Sequence, residues 1–377
     1  MPRVLISANA AWNIVNFRAA LVRALIADGH EVIAAVGDDA ALPDLSALGV
    51  RTIALPMASA SASPIGDARL LARFVALMRR ERPDIFLSWT IKPNVYGSLA
   101  ARLCGVPAIS NISGLGTAFI RTGWLTRIVR RLYRLALRRS AAVFFQNADD
   151  RALFLTDRLV RPDQARLIPG SGIDTAAFDP ARYPVSDDGA FRFLLIARLI
   201  RDKGVLDYVE AARRLIASGT TAHFQIVGFL DVDNRTAIPR TELDAWVAEG
   251  VIDYLGASRD VRPIVARADC VVLPSYREGA SRVLLEAAAM ARPAIASDVP
   301  GCRDIVEDGR TGLLCRVRDP VHLADRMRAM LALGPADRAA MGQAARARAI
   351  AEFGEATVVA HYRKAIAHAL AGHAKAD

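Results

Sequence analysis

Two successive series of short apolar segments, each alternating with helical patterns, limit this chain to a narrow range of folds. Apolar strands separated by helical patterns of about 10–15 residues are typical of parallel βαβ units. In the first series we predict strands at residues 3–7, 31–36, 84–89, 107–111 and 141–146, and helices at 16–27, 67–80, 96–103 and 124–138. In the second we predict strands at 191–196, 222–227, 251–255, 269–273 and 293–296, and helices at 205–217 and 240–248.

A segment rich in glycine, proline, aspartate and serine separates the two series and predicts a linker at residues 171–190. The 377 residues of the chain are enough for two ordinary domains. We therefore predict an α/β protein with two doubly wound, Rossmann-like domains, residues 1–170 and 191–354, that face a cleft. A C-terminal helix is predicted within residues 355–377. Ligands of such sheets bind at the carboxyl ends of the strands, where we expect the functional residues.

The segment from residue 270 to residue 290 predicts a buried strand, a turn at Gly279 and the start of a helix. Backbone N–H groups at a helix start are unpaired and lie at the positive end of the helix dipole, which suits phosphate. Glu278 and Glu286, seven residues apart, are poor phosphate ligands but good acceptors of sugar hydroxyl groups. A phosphate site between two hydroxyl acceptors indicates a nucleotide-sugar.

Residues 278–286 resemble the donor-binding signature of retaining glycosyltransferases of the GT-B fold, the glycosyl transferases group 1 family. Arg198 and Lys203 resemble the pyrophosphate clamp of that family, and residues 167–174 resemble its interdomain segment. Residues 90–97 and 111–116 are similar to a subgroup that builds capsule, O-antigen or protein-linked glycans on a polyprenyl-diphosphate lipid.

This resemblance implies roles for particular residues. Arg198, Lys203 and Glu278 would be catalytic, and the segment from Gly279 through Ala280, Ser281 and Arg282 would offer amides to the diphosphate, with Glu286 on the ribose. The first domain would bind the lipid-linked acceptor through Asn16, Arg18, Lys92, Asn94 and Ser113. The glycine pair that many relatives carry near residues 13–18 is missing here. The resemblance favours an N-acetylhexosamine in the UDP-sugar donor, and it implies that the last helix returns to the first domain.

No metal or other cofactor is expected, because fixed cations can neutralise the charge that builds on a departing diphosphate. Asp231-Val232-Asp233 has the letters of a metal motif but lies among turn-forming residues. The six histidines lie outside the motifs, which disfavours an imidazole base. The segment 114–117 lacks the third glycine of a dinucleotide fingerprint, so nicotinamide binding is rejected.

Net charge is +10, and residues 121–139 contain seven arginines and no acid. On a helix, basic residues would share one face and apolar residues the other, which suits an anionic membrane surface. An ordinary covering helix of an α/β domain is the alternative. Nucleic-acid binding is rejected because the chain has no stacking module. The predicted membrane-facing residues are Trp124, Arg127, Arg130, Arg131, Arg134 and Arg138.

The chain has no run of about 18 charge-free apolar residues and no signal sequence at its start. The four cysteines form no close pairs, which favours reduced thiols. We therefore expect a cytoplasmic protein, peripheral on the inner face of the cytoplasmic membrane. We predict a metal-independent, retaining hexosyltransferase that moves a sugar from a UDP-sugar to a polyprenyl-diphosphate-linked glycan. The alternatives are a nucleotide-sugar epimerase of the same fold and a non-catalytic protein that binds lipid-linked glycans.

Overall fold

The structure, a computed structural model, describes residues 1–57, 63–114, 124–184, 189–230 and 234–373. It divides into two compact units. Unit 1 comprises Met1–Gly172 and Glu355–Asp377, and unit 2 comprises Ile173–Gly354. Most of the predicted linker therefore belongs to unit 2, where Ile173 and Phe178 are buried in the core.

The elements follow the chain in order. The strands of the first half are β1 Arg3–Ala8, β2 Glu31–Val36, β3 Arg51–Ala54, β4 Ile85–Trp89, β5 Ala108–Ile112, β6 Ala142–Phe145 and β7 Ala165–Leu167. The helices of the first half are α1 Ala11–Ala27, α2 Leu42–Ala47, α3 Pro64–Glu81, α4 Ser98–Leu103, α5 Trp124–Leu137 and α6 Ala148–Thr156. A single π-helical turn, Pro93–Gly97, precedes α4.

The second half continues the alternation. Its strands are β8 Phe191–Ile196, β9 Ala222–Val227, β10 Asp253–Tyr254, β11 Cys270–Leu273, β12 Ala294–Ser297 and β13 Gly312–Cys315. Its helices are α7 Val205–Ala217, α8 Arg240–Ala248, α9 Arg262–Arg267, α10 Arg282–Ala289, α11 Pro320–Ala332, α12 Pro335–Glu352 and α13 Glu355–His373.

Each unit contains one parallel sheet. The strand order is β3-β2-β1-β4-β5-β6-β7 in unit 1 and β10-β9-β8-β11-β12-β13 in unit 2. The order reverses between β1 and β4 in unit 1 and between β8 and β11 in unit 2. These two positions are the topological switch points, where ligands of doubly wound sheets bind. The fold prediction of two doubly wound Rossmann-like sheets is confirmed.

The prediction that the last helix returns to the first domain is confirmed as well. Helix α13 packs on unit 1, and Tyr362 lies in its core with 1% exposure. The Tyr362 hydroxyl accepts hydrogen bonds of 2.8 Å from both Trp89 Nε1 and Asn111 Nδ2. These bonds tie α13 to the ends of β4 and β5, because Trp89 and Asn111 lie there.

Several short elements escaped the sequence analysis. Strands β3, β7 and β13 were not predicted, and neither were helices α2 and α6. Strands β3, β7 and β13 lie at the edges of their sheets and have only three or four residues each, so they carry little apolar pattern. Among the described residues, no helix combines the length and the apolar character that crossing a membrane requires.

Candidate functional site

Two loops meet at the switch point of unit 2, one after β8 (residues 197–204) and one after β11 (residues 274–281). The Tyr276 amide donates a hydrogen bond of 2.9 Å to the Asp202 carbonyl. Gly204 has φ +70°, and a Cβ at that position would lie 2.0 Å from the Pro274 carbonyl oxygen. Only glycine allows so close an approach with that φ. The fold therefore holds the two motif-bearing loops together.

Lys203 and Glu278, one from each loop, form an ion pair between Nζ and Oε1. Their side chains are 20% and 13% exposed, so the pair is largely shielded from solvent but can still be reached. The sequence analysis assigned both residues to one site from separate motifs, and the structure brings them together.

Arg198 lies in the same loop as Lys203, and its side chain is exposed. It makes no ion pair or side-chain hydrogen bond with any residue in the described parts of the chain. Arg201, three residues further on, is instead bonded to Glu242 at 2.7 Å. The cationic group of Arg198 is thus available to a ligand, whereas that of Arg201 serves the structure.

The start of α10 follows the second loop. The Ser281 hydroxyl accepts a hydrogen bond of 3.4 Å from the Leu284 amide and caps the helix. The Ser281 amide donates to the Gly301 carbonyl at 3.2 Å, so this N–H, expected at the diphosphate, is used within the protein. Gly301, at φ +77°, lies so close to the loop that a Cβ would approach the Gly279 carbonyl oxygen to 2.4 Å. The contacts of Gly301 with Ser281 and Gly279 therefore hold the start of α10 in place.

Glu286 lies one turn into α10, and its side chain is 13% exposed. Arg282 Nε contacts its Oε1 at 3.1 Å. Burial raises the pKa of the Glu286 carboxyl, and the charge of Arg282 opposes this effect. Glu286 is therefore a shielded hydrogen-bond acceptor on α10, the helix that begins directly after the loop of Glu278.

A cluster of Tyr276, Asp207 and Arg318 was not found by the sequence analysis. The Arg318 guanidinium lies over the Tyr276 ring, 4.6 Å from its centroid. Burial, followed by the charge of Asp207 and a hydrogen bond to it, raises the pKa of Tyr276 to about 12. Burial also raises the pKa of Asp207. Asp207 is in the first turn of α7, so the cluster connects the start of α7 to the loop that carries Glu278. No spacing in the sequence links these three residues.

The switch point of unit 1 joins the ends of β1 and β4. The Asn9 amide donates to the Thr90 hydroxyl at 3.1 Å. Thr90 has φ +70°, an unusual conformation for a β-branched residue. The π-helical turn Pro93–Gly97 follows at once. Strained residues and π-turns are concentrated at functional sites, so this segment is the functional candidate in unit 1.

Two of the predicted acceptor-binding residues are interior. Asn94 is 2% exposed, accepts a hydrogen bond from Ser88 Oγ at 2.8 Å and donates one to the Asn111 carbonyl at 2.8 Å. Arg18 is 4% exposed, with its guanidinium 5.4 Å from the Trp89 ring centroid. Both side chains thus lie in the interior of unit 1, and their role in acceptor binding stays a prediction.

The other three acceptor candidates are nearer the surface. Asn16 and Ser113 are exposed, and Asn16 Nδ2 donates to the Trp12 carbonyl at 2.9 Å. Lys92 Nζ contacts Asp67 at 3.0 Å, with side-chain exposures of 17% and 18%. The Lys92 ammonium group is thus held in an ion pair, as that of Lys203 is in unit 2.

Helix α5 does not have the two faces that were predicted, one basic and one apolar. Tyr133, Ala136 and Leu137 are buried, whereas Ile128 and Leu135 are 42% and 49% exposed. The outward surface therefore mixes apolar residues with arginines. Its exposed arginines are Arg127, Arg131 and Arg134, and Arg138, directly after the helix, is exposed as well.

Two arginines of α5 are engaged by the end of α6. Arg130 pairs with Asp157 at 3.2 Å. Arg134 donates to the carbonyls of Asp157 and Arg158, at 2.6 and 3.1 Å. These interactions satisfy carbonyl groups after the last turn of α6, as basic side chains commonly do at helix ends. Arg130 and Arg134 are thus engaged within unit 1, and the role of these arginines at a membrane stays a prediction.

Some predictions lie outside the described residues. These are the Asp231-Val232-Asp233 segment, residues 115–117 and Arg121, together with the side chain of Trp124. Among the described residues, no three His, Cys, Asp or Glu side chains form a group that could hold a metal ion.

Comparison with known proteins identifies both halves of the chain. The profile of the "Glycosyl transferase 4-like domain" matches residues 14–170, and that of "Glycosyl transferases group 1" matches residues 190–332. The chain is 26% identical to an N,N'-diacetylbacillosaminyl-diphospho-undecaprenol alpha-1,3-N-acetylgalactosaminyltransferase of Campylobacter jejuni, over 86% of this chain and 88% of that protein. It is 25% identical to a UDP-Gal:alpha-D-GlcNAc-diphosphoundecaprenol alpha-1,3-galactosyltransferase of Escherichia coli, over 72% of each.

Two solved structures share the fold. Anabaena HepE in complex with UDP-glucose has a TM-score of 0.80 and 17% identity, covering 97% of this chain and all of that one. A glycosyltransferase from Rickettsia africae has a TM-score of 0.78 and 17% identity, covering 98% of each chain. At these identities the likeness concerns the fold.

Proposed function

This chain belongs to the glycosyl transferases group 1 family, and we propose that it moves a sugar, with retention of configuration and without a metal, from a UDP-sugar to a polyprenyl-diphosphate-linked glycan. The family makes the chain a hexosyltransferase and does not favour the epimerase or the non-catalytic binding protein. The donor and acceptor classes rest on the two relatives, whose names contain a UDP-sugar and undecaprenyl-diphosphate-linked sugars.

One observation supports the chemistry most directly. Lys203 and Glu278, from two different loops, meet at the switch point of unit 2, with exposed Arg198 in the loop of Lys203. Negative charge builds on the departing diphosphate as the bond to the sugar breaks, and preorganised cations there lower the barrier. Arg198 would meet the diphosphate directly, while Lys203 would exchange its contact with Glu278 for a phosphate oxygen.

The two glutamates would divide the donor between them. Glu278, once its lysine turns to phosphate, would accept hydrogen bonds from sugar hydroxyls near the reacting carbon. Glu286, shielded one turn into α10, would accept from the ribose hydroxyls. The N-acetylhexosamine donor stays part of this proposal through the relative from Campylobacter jejuni.

The retaining reaction would be a front-face substitution. The acceptor hydroxyl oxygen forms a bond to the anomeric carbon as the bond from that carbon to the diphosphate oxygen breaks. The acceptor proton passes to the leaving phosphate, so no protein base is required. The protein then contributes positioning and electrostatic stabilisation.

We also propose that α5 brings unit 1 to an anionic bilayer. The outer surface of α5 exposes Ile128 and Leu135 between arginines, which combines apolar insertion with charge attraction. Each arginine near an anionic surface contributes about 1 kcal/mol, so several give reversible binding. Arg127→Gln with Arg131→Gln should weaken sedimentation with anionic vesicles. Arg240→Gln with Arg267→Gln, which removes the same charge from exposed positions in unit 2, should not.

The central test is turnover. Purified protein is incubated with UDP-sugars and a short polyprenyl-diphosphate sugar, and both UDP release and the extended acceptor are measured. Equal amounts of UDP and product, with the anomeric configuration of the donor kept in the product, are expected. UDP release without product, or a change of the donor sugar without any acceptor, would reject the proposed reaction.

A further inference from the structure

A basic cavity of about 490 Å³ lies at the amino edge of the unit 1 sheet. Strands β5 and β6 begin beside it, and helices α4, α5 and α13 end around it. Its polar and charged lining includes Arg102, Arg139, Ser140, Arg161, Arg166 and His368. The cavity is separate from the switch point of unit 1, because amino and carboxyl ends of parallel strands lie at opposite edges of a sheet.

Part of this positive charge has a structural use. Arg102 donates to the Leu135 carbonyl at 3.1 Å, and Arg161 donates to the Arg138 carbonyl at 2.5 Å. Both carbonyls belong to the end of α5, where cations offset the helix dipole. Arg161 is also paired with Asp163, the one acidic residue among the described residues of the lining, through two contacts of 3.0 and 2.9 Å.

The remaining charge has no such use. Arg139 and Arg166 make no side-chain hydrogen bond or ion pair with any residue of the described chain. A neighbouring cavity that shares Gly105 and Val106 adds Arg79 and Arg82, so the basic character continues along this edge. Arg139, which is exposed, and Arg166, which is partly exposed, could therefore both contact an anionic ligand.

Ser140 gives an independent indication. Ser140 is one of the residues that line the cavity and is 3% exposed, and its buried hydroxyl has no hydrogen-bond partner among the described residues. An unsatisfied buried hydroxyl costs free energy, and native structures rarely keep one without a reason. A ligand oxygen in the cavity would satisfy it. Arginines together with a hydroxyl are the side chains that suit a phosphate group.

Apolar residues lie close by. Leu103, next to Arg102 in sequence, is 67% exposed, and Leu135, whose carbonyl binds Arg102, is 49% exposed. Leu135 also belongs to the outward surface of α5. A phosphate site beside exposed leucines suits a molecule with a charged head and an apolar tail.

We propose that this cavity binds a phosphate ester, and that the exposed leucines favour one carried by a membrane phospholipid. The site would hold the headgroup of a single lipid, in addition to the diffuse attraction of α5 for the bilayer. It takes no part in sugar transfer, so its failure would leave the proposed reaction intact.

The test compares three double variants of the full-length protein. Arg139→Gln with Arg166→Gln removes the unpaired cations of the cavity. Arg127→Gln with Arg131→Gln changes only the outer surface of α5, and Arg240→Gln with Arg267→Gln is the charge-matched control in unit 2. Each is measured for binding to phosphatidylcholine vesicles with and without phosphatidylglycerol, for binding of soluble glycerol phosphate, and for turnover on a short, water-soluble acceptor.

The cavity variant should bind phosphatidylglycerol vesicles about tenfold more weakly, with unchanged turnover on the soluble acceptor. Ser140→Ala, which keeps all charges, should weaken the same binding by a smaller factor and serves if the double variant unfolds. If glycerol phosphate binds and this binding needs Arg139 and Arg166, the site is supported and its ligand is soluble. If the cavity variants bind vesicles and glycerol phosphate as the control does, the proposal is overturned.

Discussion

The two switch points of this protein share one strand topology, but the residues predicted at them differ in charge and in exposure. In unit 2 the predicted residues carry charge and remain accessible, with Arg198 exposed and Lys203 paired to Glu278. In unit 1 the predicted residues Asn94 and Arg18 are 2% and 4% exposed, within the interior. Unit 2 therefore keeps its predicted residues accessible, whereas unit 1 places two of its predicted residues in the interior.

The different roles have a physical reason. A diphosphate is small and highly charged, so a few cations at fixed positions recognise it. In unit 1, the Asn94 amide group joins β4 to β5 through Ser88 and Asn111, and this holds the π-helical turn in place. Strained Thr90 lies at the start of this segment. Substitution of a motif residue should therefore impair turnover or UDP binding in unit 2, but the stability of the fold in unit 1.

The largest effect is expected for the cations of unit 2. Arg198→Ala or Lys203→Ala should lower kcat by about a hundredfold or more, because each removes preorganised charge from the leaving diphosphate. Arg201→Ala is the control in the same segment, since Arg201 is bonded to Glu242. Steady-state turnover of the purified variants checks this.

Near-normal kcat for both variants would remove these cations from the mechanism. A chelator should leave the wild-type rate unchanged. Loss of activity on chelation, with recovery on adding magnesium or manganese, would instead show that the enzyme depends on a metal.

The second effect separates the two glutamates. Glu286→Ala should weaken binding of UDP and of UDP-sugar alike, by about tenfold, because it removes a shielded acceptor of the ribose hydroxyls. Glu278→Ala should leave UDP affinity unchanged or slightly increase it, because Lys203 loses its partner and becomes available to phosphate. Calorimetric titration with UDP distinguishes them, and an equal loss in both variants would contradict this division.

The third effect tests the interior role of the unit 1 motif. Asn94→Ala should reduce the free energy of unfolding by about 1–3 kcal/mol, because it breaks two buried hydrogen bonds. Ser113→Ala, at an exposed position, should leave stability unchanged. Urea unfolding gives the first quantity, and KM for the acceptor is measured in parallel. An Asn94→Ala protein of normal stability with a raised KM would place Asn94 on the acceptor.

The smallest effect is a pH dependence in unit 2. Burial raises the pKa of Glu286, so the folded state holds the carboxyl proton more tightly than the unfolded state does. The stability contribution of this group is present below its unfolded pKa and is lost as the pH rises through its folded pKa. The stability of wild type relative to Glu286→Gln should therefore fall as the pH rises above about 4.3, the usual pKa of a glutamate in an unfolded chain. Urea unfolding of both proteins below and above that pH checks the sign, and a relative gain of wild type as the pH rises would contradict it.

The candidate site in unit 2 was predictable to a large extent, because its residues can be recognised from their types and their local sequence patterns. Glu278, Glu286, Arg198 and Lys203 follow strands in recognisable local patterns. The cluster of Tyr276, Asp207 and Arg318 was not predictable, since these residues come from separate loops and meet only through folding. The same holds for the cavity around Ser140, which helix ends and strand starts enclose.

The alternation of apolar segments determined, by itself, two parallel sheets with their helices, because the period of the apolar residues is a local property. It also placed motif residues at the carboxyl ends of strands. Only the tertiary structure decided which of these side chains are buried and which stay accessible, because burial depends on elements distant in sequence. Asn94 became interior through contacts with Ser88 and Asn111, and Arg130 and Arg134 were drawn to the end of α6. A sequence pattern fixes the position of a residue along an element, whereas packing between elements fixes which of its neighbours it reaches.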